Sequence, residues 1–248
     1  MEEGGNRSLY RTWQRSVELS YHTLKVKESD LVIAVDKAQA NRLDLPQVEK
    51  QIIKLRADIQ MYTDVVPEFV TALSPLPLNK PVAEVVRRMI TATQLAGVGP
   101  MAAVAGTIAE LVGEELLSQG FANIIVENGG DLYLASETER VVAIFAGTSP
   151  FTGQVGLIIR DGFPLGVCTS SGTVGPSLSF GLADASIIIA ETAALADAVA
   201  TAAGNLVKDV NSLERAVDFA CAIPGVRGAL MILGDKLAAR GAVELVGM

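Results

Sequence analysis

The sequence predicts an α+β protein in which helices come first and most of the strands come later. Apolar residues recur at three- and four-residue steps between residues 41 and 118, a spacing typical of helices. Short apolar runs separated by turn residues then fill residues 122–190, which is typical of strands. Half of the 248 residues are hydrophobic, so the chain can bury a large core.

The N-terminal part is predicted to form a small β element followed by two helices. The predicted elements are strands at 17–21, 24–26 and 31–35, a helix over 41–73, and a helix from Pro81 to the Gly-Val-Gly-Pro at 97–100. Proline is tolerated in the first turn of a helix, and the glycines and proline at 97–100 end the pattern.

The C-terminal part is predicted to hold the core sheet. A helix over 101–118 precedes it, and its small residues would let another backbone approach closely. The predicted strands lie at 122–126, 132–135, 141–145, 155–159, 165–169 and 185–190. A helix containing Asp197, a helix over 213–222 and a strand pair at 229–233 and 243–246 complete the chain.

Composition and charge exclude several classes of function. The net charge is -8 and the basic residues are scattered, so the electrostatic footprint of a nucleic-acid-binding protein is missing. The only histidine, His22, falls in a predicted N-terminal strand, which argues against a Ser/His hydrolase. One histidine and two cysteines are too few for a typical zinc site. Cys168 and Cys221 are expected to be reduced.

Membrane and export signals are also missing from the sequence pattern. The two uncharged stretches, residues 91–109 and 162–183, contain helix-breaking glycine and proline, so we expect no membrane span. The polar N-terminus lacks the charged and apolar regions of a signal peptide. These features predict a cytoplasmic protein.

Asp197 and Thr201 form the most informative pair of polar residues. They are four positions apart in an alanine-rich segment, so on a helix both oxygens share one face. Mg²⁺ accepts a few oxygen ligands and completes its shell with water and substrate phosphate, so this pair fits a magnesium site. In the alternative interpretation the threonine bonds back to a helix carbonyl and the aspartate is exposed.

Three glycine-rich segments each have a functional and a structural interpretation. Gly97-x-Gly99-x-x-Ala102 matches the letters of a dinucleotide fingerprint, but a helix precedes it, which favours a tight turn between helices. Glu127-Asn128-Gly129-Gly130-Asp131 is either a hairpin turn or a place where bare backbone amides and polar side chains meet a ligand. Cys168-Thr169-Ser170-Ser171-Gly172-Thr173 is either an ordinary loop or a cradle for phosphate or a ring carbonyl.

Taken in order, these segments resemble the ApbE-like superfamily, best known for flavin transferases. The resemblance runs from about Gly99 to Leu206. The family has a small-residue helix, an Asn-x-Gly-Gly-Asp turn, a Thr-Ser-Gly loop and an Ala-Asp-x-x-x-Thr helix, which match residues 101–117, 127–131, 169–172 and 196–201. The implied fold has helices packed on a mostly antiparallel central sheet, as a single domain with an N-terminal part over 1–98 and a core over 99–248.

The resemblance also implies a site and a chemistry. Asp197 and Thr201 would be the catalytic Mg²⁺ ligands, with a backbone carbonyl near Val104 as the third. Flavin transferases use the metal to neutralise the pyrophosphate of FAD, split it, and pass the FMN phosphoryl group to a hydroxyl on an acceptor protein. The glycine turn and the Thr-Ser-Ser-Gly loop would then bind the nucleotide.

Three departures separate the chain from the transferases. Ala105 stands where they have a lysine, Glu127 stands where they have the asparagine of the turn, and the His-x-x-Asp-Pro segment is absent. The segments GVGPMAAVAGTIAE and LADASIIIAE look instead like an uncharacterised branch of the superfamily, for which the fold should carry over and activity need not.

These observations leave three hypotheses: an Mg²⁺-dependent transferase acting on FAD or a related nucleotide, a non-enzymatic or accessory protein that binds another small anion and is linked to sulfur assimilation, or a protein whose glycine loops are purely structural. Apolar surface on the strands and small-residue helices favours a homo-oligomer.

Overall fold

The computed structural model describes residues 16–172 and 180–248. The polar N-terminus, Thr173 and the next six residues, 174–179, on which some of the sequence predictions fall, lie outside these ranges. The strands, in chain order, are β1 (Leu19–Val26), β2 (Ser29–Asp36), β3 (Ile124–Asn128), β4 (Asp131–Ala135), β5 (Arg140–Ala143), β6 (Val155–Ile159), β7 (Leu165–Ser170), β8 (Ala185–Ala190), β9 (Val226–Leu233), β10 (Lys236–Gly241) and β11 (Leu245–Gly247).

The helices alternate with these strands in two groups. They are α1 (Leu45–Val65), α2 (Glu68–Thr71), α3 (Glu84–Ala96), α4 (Val104–Ser118), α5 (Ala193–Gly204) and α6 (Leu213–Cys221), with 3₁₀ turns at Lys37–Arg42, Pro100–Ala103 and Val210–Ser212. Helix α1 begins after Asp44, whose side chain accepts a hydrogen bond from the Gln47 amide at 3.0 Å and so caps the first turn.

Two antiparallel sheets form the β part of the fold. Eight strands pair in the order β1-β2-β3-β4-β7-β8-β9-β10, and three pair in the order β11-β6-β5. The helices and the smaller sheet pack on opposite faces of the larger sheet, because alternate residues of its strands point to opposite sides. The predicted α+β class, with helices on a mostly antiparallel sheet, is confirmed.

Several element boundaries and one pairing differ from the sequence predictions. The two short strands predicted at 17–21 and 24–26 are one strand, β1, because His22 and Thr23 continue its ladder opposite β2. The helical pattern predicted over 41–73, with Pro67 as an interruption, gives α1 and α2 on either side of Pro67, and α1 begins at Leu45 rather than at 41.

The other differences concern helix starts and the last strands. The helix expected from Pro81 begins at Glu84, and the helix expected from 101 begins with a 3₁₀ turn before α4. The predicted pairing of 229–233 with 243–246 is wrong: β9 turns at Gly234, whose φ is 61°, and pairs with β10, while β11 pairs with β6. The polar pattern of β10 hid this edge strand from the sequence reasoning.

No single helix in the described part of the chain has both the length and the apolar composition needed to cross a membrane. Glu84–Ala96 and Pro100–Ser118 meet those criteria only as a pair, and the pair is bent by 104°.

Candidate functional site

The predicted site residues come together where the first turns of α4 and α5 cross the helix-facing side of the larger sheet. Strands β4 and β7 are paired there, with Asp131 directly opposite Cys168. Both side chains lie on the helix-facing side, because their neighbours Leu132 and Val167 point into the other core. The hairpin turn between β3 and β4 closes the same corner.

Two glycines allow the backbones to approach closely at this corner. A Cβ atom on Gly106 of α4 would lie 2.3 Å from the Ala193 carbonyl oxygen, and one on Gly166 of β7 would lie 2.3 Å from the Ala193 Cα. No larger residue fits at either position without a backbone shift. The prediction that small residues on α4 permit a close approach of another backbone is therefore confirmed, and that backbone is α5.

Asp197 faces the first turn of α4. Its Oδ2 accepts a hydrogen bond from the Gly106 amide at 2.8 Å, and the Ala105 amide also donates to this carboxylate. Carboxylates are favoured at helix N-termini, where amides lack intrahelical partners. Burial nevertheless raises the pKa of Asp197 to about 7, although both amides act to lower it.

Asp131 lies beside Asp197 in the same buried corner. Burial is the main cause that raises the pKa of Asp131 well above its ordinary value, and repulsion from the Asp197 charge is the next. The Cys168 thiol and the Thr169 backbone amide donate hydrogen bonds to the Asp131 carboxylate. A buried carboxylate and a half-buried one are thus held close together, an arrangement that a cation would stabilise.

Cys168 connects this acidic pair to α5. Its Sγ lies 3.3 Å from the Ala193 carbonyl oxygen, and burial followed by the charges of Asp131 and Asp197 raises the pKa of the thiol. A thiol in such surroundings stays protonated and unreactive. Cys168 and Cys221 are both free.

The glycine turn is a hairpin, as one of its two interpretations predicted. Gly129 and Gly130 have φ values of 69° and 107°, which glycine adopts without strain, and they join the paired residues Asn128 and Asp131. The Glu127 carboxylate accepts from the Gly130 amide at 2.8 Å. Glu127, at the position of the family asparagine, therefore stabilises the turn itself.

Asn128 joins the turn to α4. It is 6% exposed, and its Nδ2 donates to the Ala105 carbonyl oxygen at 3.1 Å. The side chain that was predicted to contact a ligand is therefore used to hold the hairpin against the helix.

The Thr-Ser-Ser-Gly loop is only partly directed at this corner. Ser170 shares the helix-facing side with Cys168, whereas Thr169 alternates to the opposite side and contributes its backbone amide. The Gly172 amide donates to the Ala183 carbonyl oxygen at 2.9 Å, and a Cβ atom on Gly172 would lie 2.1 Å from the Gly181 oxygen. Gly172 is thus packed closely against the backbone of Gly181 and Ala183.

Thr201 and Val104 complete the predicted oxygen set. Thr201 lies one turn after Asp197 on α5, and within the described residues its hydroxyl makes no hydrogen bond, so it does not bond back to a helix carbonyl. Val104 is the first residue of α4, beside the amides that Asp197 contacts. In residues 16–172 and 180–248 no group of three or more His, Cys, Asp or Glu side chains has the arrangement of a metal cluster.

This set of oxygen donors fits Mg²⁺ better than it fits a metal ion whose ligands are all protein side chains. Mg²⁺ is commonly bound by one or two carboxylates, with water and substrate phosphate as the remaining ligands. One or two aspartates, a hydroxyl and a helix carbonyl match that pattern.

The Gly97 segment is a turn between helices. Gly97 has a φ of 76° and ends α3, with its amide and that of Val98 both donating to the Thr93 carbonyl. A strand does not precede it, so the dinucleotide-fingerprint interpretation is wrong and the helix-turn interpretation is confirmed.

Sequence reasoning missed two polar residues that shape this corner. Cys168 was predicted to be a reduced cysteine at the end of the strand over 165–169, without a place in the site, and its position opposite Asp131 depends on strand register. Glu110 is 3% exposed, and its Oε2 accepts from the Ala194 amide at 2.9 Å. An acidic residue in the apolar segment GTIAE was the available signal, since carboxylates are rarely buried unless paired.

Comparisons with known proteins show which family this chain is similar to. The family described as AbpE bacteria matches residues 11–236. A UPF0280 protein from Methanocella arvoryzae is 48% identical over 192 residues, which cover 77% of this chain and 78% of that protein. A UPF0280 protein from Methanosarcina acetivorans is 41% identical over 228 residues, covering 90% of this chain and 87% of its own.

Two solved structures share the fold. The flavin transferase ApbE from Vibrio cholerae superimposes with a TM-score of 0.61 at 16% identity, covering 91% of this chain and 97% of its own. The flavinyl transferase ApbE from Pseudomonas stutzeri, in its apo form, gives a TM-score of 0.56 at 14% identity, with 90% and 94% covered. At such identities the likeness shows a common fold.

Proposed function

The chain belongs to the AbpE bacteria family of the ApbE-like superfamily, and on that premise we propose that it binds FAD or a related nucleotide through one Mg²⁺ at Asp197 and Thr201. The observation that carries this proposal is the pair of neighbouring carboxylates, buried Asp131 and half-buried Asp197, at the N-terminal end of α4.

The pair is costly to bury without a cation. Burial disfavours the ionised state of both groups, and repulsion from Asp197 adds to this effect at Asp131, whereas the amides of Gly106 and Ala105 lower the pKa of Asp197. A divalent cation would offset the two negative charges and would keep coordination positions for further ligands. Phosphate is an anion that such a cation attracts, since Mg²⁺ commonly completes its shell with phosphate oxygens.

Each element has a distinct part in this proposal. Asp197, Thr201 and the Val104 carbonyl supply oxygens to the cation, and Asp131 adds negative charge beside it. The hairpin holds Asp131 in place through the bonds of Glu127 and Asn128. The nucleotide would lie along Gly129–Asp131 and Thr169–Gly172, where Ser170 offers a hydroxyl on the helix-facing side.

Flavin transfer is the finer form of the proposal. When bound, Mg²⁺ would neutralise the developing charge on the pyrophosphate. In the transfer, the bond between the FMN phosphorus and the bridging oxygen of the pyrophosphate breaks, and AMP leaves with that oxygen. The FMN phosphorus forms a bond to a hydroxyl oxygen of an acceptor protein, and the hydroxyl proton is released.

The test is the melting temperature with and without FAD, other nucleotides and Mg²⁺. A ligand that prefers the folded state stabilises it by about 2.7 kcal/mol at a hundred times its Kd, so FAD with Mg²⁺ should raise the melting temperature. Asp197→Asn keeps an oxygen for the Gly106 amide and loses the charge, so it should fold and lose the effect of Mg²⁺.

Asp184→Asn is the matched control. Asp184 is 8% exposed and accepts from the Gly234 amide at 2.7 Å, so it is also a buried aspartate bonded to a backbone amide, at the end of the fold where β9 turns. This variant should keep the full response to Mg²⁺ and FAD. No shift in the wild type, or an undiminished shift in Asp197→Asn, would refute the proposal.

A second candidate function, binding of a small anion without transfer, is favoured by one residue. Ala105 stands at the position of the transferase lysine, so this point of α4 offers no cationic side chain. Its carbonyl oxygen accepts a hydrogen bond from Asn128. Incubation with FAD, Mg²⁺ and acceptor protein distinguishes the two functions. Release of AMP with covalent flavin on the acceptor supports transfer, and binding without AMP supports the second function.

A further inference from the structure

We propose that Glu110 is a positioning residue for the cation site, which fixes α5 against α4 so that Asp197 and Thr201 keep their places beside Val104. This inference rests on the proposed function. It is supported by two hydrogen bonds between the same two helices. In one the carboxylate is on α5 and the amide on α4, and in the other the carboxylate is on α4 and the amide on α5.

The two bonds form a reciprocal clamp. Asp197 of α5 accepts from the Gly106 amide of α4 at 2.8 Å, and Glu110 of α4 accepts from the Ala194 amide of α5 at 2.9 Å. On each helix the two bonded residues are three or four positions apart, which is about one turn. A single bond would let the helices pivot about it, whereas two bonds one turn apart fix both rotation and sliding.

The Glu110 carboxylate is itself held on both sides. Oε2 accepts from Ala194, and Oε1 pairs with Arg88 of α3. Arg88 also donates to Glu84 at 2.7 Å and to Glu114 at 2.8 Å. Three helices are therefore joined through one buried carboxylate, and its direction is set before any ligand binds.

Glu110 caps α5 from another helix. Thr192, at the start of α5, accepts from the Leu195 amide at 3.2 Å, whereas Glu110 reaches the separate Ala194 amide from α4. A buried ion pair is also weak evidence for stability, because well-packed apolar residues often stabilise a fold as well or better. The Glu110 carboxylate fixes the position of α5 relative to α4. This position matters because the two proposed side-chain ligands of the cation are on α5 and the carbonyl ligand is on α4.

The test compares Glu110→Ala with Glu110→Gln in the full chain. Mg²⁺ binding is measured by isothermal titration calorimetry at a temperature where each variant is folded, with and without FAD. Groups that orient metal ligands typically contribute about 10- to 100-fold to affinity, and we expect a loss of that size in Glu110→Ala. Glu110→Gln keeps an oxygen for the Ala194 amide and should lose less.

Two controls separate positioning from a general loss of stability. Glu114→Ala removes the other α4 carboxylate that pairs with Arg88, but Glu114 makes no bond to α5 in the described residues. Leu157→Ala opens a cavity in the core behind the larger sheet, where Leu157 is 1% exposed. Both should keep wild-type Mg²⁺ affinity while folded.

Hydrogen exchange gives a readout that needs no ligand. In Glu110→Ala the amides of Ala194 and Gly106 should both exchange faster, because loss of one bond of the clamp loosens the other. In Leu157→Ala and Glu114→Ala their protection relative to global unfolding should be unchanged.

The outcomes distinguish this inference from the proposed function. If the wild type binds neither Mg²⁺ nor FAD, both are overturned. If the wild type binds, and folded Glu110→Ala binds equally well with Gly106 still protected, only the positioning role is overturned. A loss of affinity confined to the Glu110 variants supports it.

Discussion

The two faces of the eight-stranded sheet are built from the same strands and differ sharply in chemistry. On β4, Asp131 and Tyr133 point toward the helices, while Leu132 and Leu134 point toward the smaller sheet. On the side of the smaller sheet, the larger sheet contributes nine residues to the hydrophobic core, and Glu127, paired with Leu132, is a buried carboxylate on that side. The nine are Leu132, Leu134, Leu165, Val167, Ala185, Ile187, Ile189, Leu230 and Ile232.

The helix-facing side instead holds several buried polar groups with specific partners, and also the buried Tyr133 hydroxyl, which has no hydrogen-bond partner among the described residues. Ser186 donates a hydrogen bond to the Ala200 carbonyl oxygen at 2.7 Å, and the Cys168 thiol donates to Asp131. The Glu110 carboxylate accepts a hydrogen bond from the Ala194 amide of α5. Burying such groups costs free energy that only specific bonds recover. One face of the sheet therefore stabilises the fold by apolar burial, and the other holds carboxylates and hydroxyls in fixed positions at some cost in stability.

The largest expected effect is on the apolar face. Leu157→Ala should lower the free energy of unfolding by about 2–5 kcal/mol, because a buried leucine is replaced by a cavity. Urea unfolding followed by circular dichroism measures this change. Mg²⁺ affinity of the folded variant should stay at the wild-type value, and a parallel loss of affinity would show that the two faces are not independent.

The pH dependence of stability should come from the polar face. The pKa of Asp197 is about 7 in the folded chain, above its ordinary value, so the unfolded state releases its proton first as pH rises. The Asp197 contribution to the free energy of unfolding should therefore fall between about pH 4 and pH 7, by at most about 4 kcal/mol. Asp131, whose pKa is also raised in the folded chain, should lower the free energy of unfolding in the same direction.

Two changes should flatten this profile, as measured by urea unfolding at a series of pH values. Asp197→Asn removes one of the two titrating carboxylates and its repulsion of Asp131, and saturating Mg²⁺ stabilises the ionised pair above pH 7. Asp184→Asn should leave the downward slope in place. An undiminished slope in Asp197→Asn would assign it to groups outside this pair.

Gly106 is the point at which α4 approaches the backbone of α5. Gly106→Ala should lower the free energy of unfolding by about 1–3 kcal/mol and weaken Mg²⁺ binding, because the new Cβ would lie 2.3 Å from the Ala193 oxygen and 2.8 Å from the Asp197 Cβ. Gly156→Ala in the smaller sheet is the control. Its nearest atoms, Val141 Cγ1 at 2.8 Å and Met248 Sδ at 3.2 Å, belong to side chains that can move.

Urea unfolding and calorimetric titration of both glycine variants test this difference. Equal Mg²⁺ affinities in the two would mean that the spacing of α4 and α5 does not control the site.

The sequence was sufficient to predict what depends on local patterns. The apolar periodicity of α1 and α3, the strands of the central sheet and the hairpin at Gly129-Gly130 each follow from residues adjacent in the chain. The i, i+4 spacing of Asp197 and Thr201 likewise needed only a helix, and the structure has that helix.

What could not be predicted depends on register and on contacts between distant segments. Cys168 faces Asp131 only because β7 pairs with β4 in one particular register. Glu110 reaches Ala194, 84 positions along the chain, only because Gly106 and Gly166 let the backbones approach. Polar β10 was missed because edge strands lack the apolar alternation that identifies inner ones.

The smallest expected effect comes from a pair of matched serines. Ser186 on the helix-facing side and Ser149 in the loop that joins β5 to β6 are both buried, and each donates to a backbone carbonyl oxygen at 2.7 Å, Ser186 to Ala200 and Ser149 to Gly234. Each change to alanine should cost about 1 kcal/mol of unfolding free energy, the usual contribution of one such bond.

The two serine variants should differ in Mg²⁺ affinity even though their free energies of unfolding match. Ala200 precedes Thr201, so loss of the Ser186 bond loosens α5 beside a proposed ligand, and affinity should fall a little, whereas Ser149→Ala should bind as the wild type does. Calorimetric titration of both variants measures the difference. Equal affinities would limit the positioning role to the first turns of α4 and α5, where the carboxylate clamp lies, and would leave the rest of α5 as packing alone.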